Sequence, residues 1–95
     1  MGRKPERSKL PTPSERAKTD PAYAQLRDQR RQSFGKAIRR LREVDSIDQA
    51  DLAARTGLHR AYIGQVERGE ANITIDNMWA IADGFDIELA ELVEE

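Results

Sequence analysis

The stretch that decides the fold is Gln49–Arg68, QADLAARTGLHRAYIGQVER. It reads as two short helices meeting at a glycine. Leu52 and Ala53 fall on the inner face of the first helix, and Gly57 closes it. Leu58 follows at the turn, and Ile63 and Val66 fall on the inner face of the second helix. Ala53 is small, as two steeply crossing helices require where they touch. Gly57 stands just past a helix end, where positive φ is common and a Cβ is penalised. A small residue and a glycine four apart are weak evidence alone, but three further apolar positions in register make the signal strong. The pattern asks for a tight helix-turn-helix, a unit that docks its second helix in the DNA major groove.

Working outward, Phe34, Ile38, Leu41 and Val44 form an apolar stripe at helical spacing, which Asp45-Ser46 breaks. Asp48 is placed to cap the helix that begins at Gln49, with Asp51 at capping-box spacing. His59 starts the next helix and Gly69 ends it. Thr74 opens a further helix that runs to Asp83, with Gly84 past its end. Asp86 caps a last helix ending in the acidic ELVEE tail. Toward the N-terminus, Asp20-Pro21 reads as a cap and first helical residue, predicting a helix to Gln32 with Tyr23 and Leu26 on one face. Two readings of the next junction stay open: Ser33 caps a new helix, or Gly35 sits inside one long continuous helix. Residues 1–19 carry three prolines and, besides Met1, a single large apolar side chain. That is too little to offset ordering entropy, so this basic arm is expected to be disordered. The expected architecture is all-α, with the arm over 1–19, a helical extension over 20–32 and a compact domain over 33–95.

A chain of 95 residues makes one domain with a sufficient core. It has no cysteine, which excludes disulfides and thiolate metal sites, and one histidine without a carboxylate cluster gives no zinc site. No cofactor or metal is expected. No apolar run approaches the roughly 20 residues of a membrane span, and no signal-peptide core is visible. The expected location is the cytoplasm, at the nucleoid. No serine, cysteine or acid is spaced for triad chemistry, so an enzyme is not expected. The net charge of −1 hides a strong asymmetry. Residues 1–31 hold nine Lys/Arg against four Asp/Glu (+5), residues 32–68 hold seven against five (+2), and residues 69–95 hold eight acids and no Lys or Arg (−8). Such a chain has one side suited to phosphate and one that must turn away from it.

The runs FGKAIRRLRE, IDQADLAARTGLHRAYIGQVERG and ITIDNMWAIADGFDIELAELV, from Phe34 to Val93, resemble the Cro/CI-type (XRE-like, lambda-repressor-like) helix-turn-helix family. His59 stands where the family often has a serine cap, Gly64 replaces a common serine, and Ile73 sits where proline is frequent. None of these removes a core position. The resemblance implies a compact five-helix domain binding DNA operators as a two-fold dimer. It places the base-reading positions on Arg60, Ala61 and Gln65. Arg60 suits guanine O6 and N7, Gln65 suits adenine N6 and N7, and Ala61 suits a thymine methyl. The bland alternative for Arg60 is a phosphate contact or a solvated surface residue.

Gln49 is implied to approach a phosphate and brace the reading helix, whereas the alternative is a merely exposed helix residue. Tyr62, Arg68, Arg55, His59 and Asn72 are further backbone-contact candidates. Arg42 and Glu67 are implied to form a structural pair that orients the reading helix. Glycine inside a helix costs roughly 1 kcal/mol against alanine. Gly64 therefore points to a close approach, either by DNA or by the first helix of the motif. Met78, Ile81, Ala82 and Phe85 have core spacing. Trp79 flanks that face, either as a lid on the core or as an interface anchor. With Leu89 and Leu92, it is a candidate for the dimer contact.

The reading is a sequence-specific DNA-binding transcriptional regulator, a repressor, that binds a palindromic operator in double-stranded DNA as a homodimer. A rival from another class takes the chain as an interaction module, such as an antitoxin, whose N-terminal segment folds on a partner protein. A controller protein of a restriction system is a further compatible setting.

Overall fold

A computed structural model describes residues 10–93. These form six helices: α1 (Pro13–Thr19), α2 (Pro21–Asp45), α3 (Gln49–Thr56), α4 (Arg60–Glu67), α5 (Ile75–Gly84) and α6 (Leu89–Val93). No strand occurs among the described residues. Residues 1–9 of the predicted arm, and the last two residues of the acidic tail, lie outside the described residues.

The junction left open at Ser33 resolves as one helix. Asp20 accepts hydrogen bonds from the N–H groups of Ala22 (3.1 Å) and Tyr23 (3.3 Å), Pro21 occupies the first turn, and α2 then runs for 25 residues. The predicted boundary between extension and domain therefore falls inside a helix. Gly35 explains why glycine stands there. A Cβ built on it would lie 2.5 Å from the Val66 carbonyl oxygen and overlap that of Glu67. Only the missing side chain lets α2 cross the C-terminal end of α4 this closely. Ser46, at φ 56°, ends α2 in the left-handed region. Val44, expected on the buried stripe, is 75% exposed, because the stripe drifts off the core face by the last turn. Ala37 takes up the burial instead.

Within the arm expected to be disordered, residues 13–19 form a helix. Thr12 accepts from the Glu15 N–H (3.1 Å), while the Glu15 carboxylate accepts from the Thr12 N–H (2.8 Å). This reciprocal cap, with proline behind it, starts α1 without any buried residue. Its charged face turns back on α2, where the Arg16 guanidinium lies 4.4 Å from the Tyr23 ring centre.

The motif turn follows its sequence reading. Asp48 and Asp51 form the reciprocal cap of α3, at 2.8 and 3.0 Å. Gly57 sits at φ 78° and returns its N–H to the Ala53 carbonyl. Ile38, Leu52, Ile63, Ile81 and Leu92 are fully buried, so α2 to α6 share one core. Two details near the C-terminus differ from expectation. Gly84 is the last residue of α5 rather than past its end. Asp86 does not cap α6: it adopts φ 57° in the turn, and the Glu91 carboxylate receives the Glu88 N–H instead.

Candidate nucleic-acid interface

The inner face of α4 is set by Ile63 and Val66, at 0% and 3% exposure, with Gly64 buried beside them. Helical geometry then turns Ala61, Gln65 and Arg68, spaced four and three apart, outward together with Arg60. All four are exposed, as is His59 at the N-cap, whose side chain makes no capping bond. The structure thus brings Arg60, Ala61 and Gln65 to the solvent side of one short helix.

What holds that helix in orientation is Glu67. Its carboxylate accepts from Arg42 Nε (2.6 Å) and Nη2 (2.8 Å) of α2 and from Gln49 Nε2 (3.1 Å) of α3. Arg42 also donates to the Ile47 carbonyl at 3.2 Å. The two charged side chains are 14% and 6% exposed, so the pair is largely withdrawn from water. The bond to Glu67 raises the Arg42 pKa above its already high value, against burial, which lowers it. The guanidinium therefore stays charged, and a charge-assisted bidentate bond fixes both distance and angle between α2 and α4. Gln49 packs over Gly64 as it reaches into this cluster: a Cβ there would meet the Gln49 amide at an ordinary contact distance of 3.7 Å and an Arg68 guanidinium nitrogen at 3.2 Å.

A family model described as Helix-turn-helix matches residues 38–92. The chain belongs to the helix-turn-helix family of DNA-binding transcriptional regulators. Among relatives of this helix-turn-helix protein, the control protein C.SmaI of Serratia marcescens is 36% identical over 56 residues, spanning 59% of this chain and 67% of that one. The control protein C.BamHI of Bacillus amyloliquefaciens is 32% identical over 62 residues, 64% of this chain and 76% of that one. The crystal structure of the restriction-modification controller protein C.AhdI from Aeromonas hydrophila is similar at a TM-score of 0.62 and 42% identity, covering 63% of this chain and 91% of that one.

The other candidates around the helix-turn-helix are distributed unevenly. Tyr62 is half-buried, and its hydroxyl accepts from Asn77 Nδ2 at 3.2 Å, tying α4 to the start of α5. Asn77 was not singled out in the sequence, and its helix-start position beside Thr74 gave no signal for this contact. Arg68 is exposed and bonds Glu70 through two nitrogens at 3.1 and 3.2 Å, which raises its pKa. Arg55 is exposed and bonded within the chain. Its guanidinium bonds Asp45 (3.2 Å) and the Gly84 carbonyl (3.3 Å), serving the C-terminal ends of α2 and α5. Leu92, a candidate for the dimer contact, is completely buried and contributes to the core. Leu89 is half-buried against that core, while Trp79 is 42% and Ile75 65% exposed one helical turn apart on α5. Among the described residues, no group of three or more His, Cys, Asp or Glu is placed to hold a metal. No described helix is long and apolar enough to cross a membrane.

Proposed function

We propose that this chain is a controller-type repressor that binds a palindromic operator as a homodimer, inserting α4 into the major groove of each half-site. The observation that carries the reading is the clamp at Glu67. It fixes the exposed Arg60–Ala61–Gln65 surface to two other helices, which is what base reading at hydrogen-bond precision requires. Arg60 donates two bonds to guanine, Gln65 pairs with adenine, and Ala61 touches a thymine methyl. Gln49 acts chiefly through Glu67, with the α3 N-terminus beside it offering backbone N–H groups to a phosphate. His59, Tyr62, Arg68 and Asn72 supply further backbone contacts.

Pairing uses the α5–α6 side, where Trp79 and Ile75 are exposed and Leu89 lies at the edge. That side belongs to the acidic third of the chain, which phosphate repels. Two copies related by a two-fold axis would set their reading helices about 34 Å apart, one turn of DNA. The control proteins to which the chain is similar favour a role in governing restriction-modification genes inside the cell.

Selection of bound sites from random duplexes tests this directly. The expected product is an inverted repeat with half-sites about one helical turn apart. Arg60→Ala should then lose about 1–3 kcal/mol on that repeat and relax the preference at one base pair per half-site. Enrichment of no sequence would overturn the reading, and equal losses on selected and random DNA would demote Arg60 to a phosphate contact.

A further inference from the structure

We propose that the N-terminal helical hairpin carries a second, sequence-independent DNA contact. It is a cleft between α1, α2 and the loop after α4, in which Arg27, Arg30, Arg31 and Asn72 grip phosphates flanking the site that α4 reads. The proposal rests on the DNA-binding reading above and adds a separate surface to it.

The three arginines stand at i, i+3 and i+4, so one face of α2 presents them together. With Asn72 and the Tyr23 ring they line a cleft of about 480 Å³, whose far wall is the start of α1. No ion pair or side-chain hydrogen bond engages Arg30 or Arg31 among the described residues, whereas Arg27 shares its charge with Asp28 at 3.0 Å. On α1, Arg16 is already engaged, lying over Tyr23 and 3.7 Å from Asp20. The hairpin therefore engages Arg16 and Arg27 in its own contacts and leaves Arg30 and Arg31 at the mouth of a preformed groove.

Position argues for DNA as the occupant. A Cβ on Gly69 would stand 2.7 Å from Gln32 Cγ and 3.0 Å from its Cα. The loop leaving α4 thus lies against the α2 backbone one residue beyond Arg31, and Asn72 belongs to both surfaces. Through Gly35 and Gly69, α2 is held against the end of the reading helix, so the arginines keep a fixed offset from it. Guanidinium forks match phosphate oxygens, and an asparagine amide is a common neutral donor to the backbone. The opposite end of the chain, with eight acids after residue 68 and no Lys or Arg, cannot serve this purpose. The cleft also lies on elements before the matched span 38–92, apart from Asn72, so it is an addition to the shared domain.

The test uses the full chain on its selected operator, either trimmed to the two half-sites or extended by about ten base pairs at each end. Wild type should bind the extended duplex more tightly. Arg30→Ala/Arg31→Ala should lose that advantage while selecting the same sequence. Each neutralised phosphate contributes about 0.9 to the slope of log K against log salt, so the variant's slope should fall by about 1.8 per bound protomer. Between about 50 and about 200 mM salt, the wild type's advantage over the variant should therefore shrink about twelvefold per protomer. Arg30→Lys/Arg31→Lys should restore the slope, because phosphate neutralisation needs the charge and a packing role would not be rescued. An unchanged slope with intact sequence selection would overturn the cleft alone and assign the arginines to an acidic protein surface. A wild type that selects no sequence would instead overturn the reading on which the cleft rests.

Discussion

Residues 21–33 and 34–45 of α2 belong to one uninterrupted helix, but they are held in different ways. The second half buries Ala37 and Ile38, at 1% and 0% exposure, passes Gly35 under the α4 backbone and sends Arg42 to Glu67. The first half buries no residue; it stands on the Asp20 cap, the proline behind it and continuity with the second half, and touches the rest of the chain through α1 at Tyr23 and through Gly69 at Gln32. Tertiary contacts therefore set where the helix lies, and local chemistry lets it continue beyond the core. A helix built this way can carry charges at a fixed distance from the domain without needing a core of its own. Its stability should then be lopsided: substitutions in the packed half and its partners should cost several kcal/mol, and comparable ones beyond it almost nothing.

The largest effect is expected at Glu67. Removing it leaves Arg42 charged and mostly desolvated, the situation in which breaking a buried pair costs about 3–5 kcal/mol. Arg42 retains 14% exposure, so Glu67→Ala should fall at the lower end, about 3 kcal/mol. In a domain of this size that lowers the melting temperature by roughly 10–20 °C. A urea or thermal melt close to wild type would show that the clamp is not what orients α4.

Gly35→Ala sharpens the comparison, because two principles oppose each other there. Alanine is a better helix former by roughly 1 kcal/mol. Its Cβ would nevertheless sit 2.5 Å from a backbone carbonyl oxygen that cannot rotate away. Overpacking costs typically 1–3 kcal/mol and a backbone clash this close belongs to the upper half of that range, so net destabilisation of about 1–2 kcal/mol is expected. Gln29→Ala, on the exposed first half of the same helix, should change stability by less than about 0.5 kcal/mol. A Gly35→Ala protein that melts higher than wild type would erase the distinction between the two halves.

The motif core was legible in sequence because its signals are local and redundant. Leu52, Ile63 and Val66 repeat at helical spacing, and Gly57 marks a turn that needs positive φ. Asp48 and Asp51 cap across three residues. The Arg42–Glu67 pair is not local, since it spans 25 positions, and it came from family likeness rather than from periodicity. Gly35 resisted reading because its reason lies in a backbone that arrives from α4. The capping box at Thr12 and Glu15 went unused because poor apolar content dominated the reading of residues 1–19. Leu92 illustrates a different difficulty. An apolar residue on a terminal helix looks the same in sequence whether it faces its own core or a second copy, and here the core takes it.

The smallest expected effect is at the far end of the hairpin. Helix α1 is seven residues long and buries none of them. The Arg16–Tyr23 contact contributes roughly 0.5–1 kcal/mol at an exposed site, and the entropy lost in ordering α1 offsets it. Deleting residues 1–19 keeps Asp20 and Pro21, and therefore keeps the cap of α2. The truncated protein should unfold within about 0.5 kcal/mol of the full chain, as surface changes away from the core usually do. Its helical circular dichroism should fall by at least the share of the seven α1 residues. A matching loss of helix with an unchanged melting transition would confirm that local capping alone sustains this end. A clear drop in the transition would show that α1 stabilises the packed half through α2, and the two halves would then have to be treated as one cooperative unit.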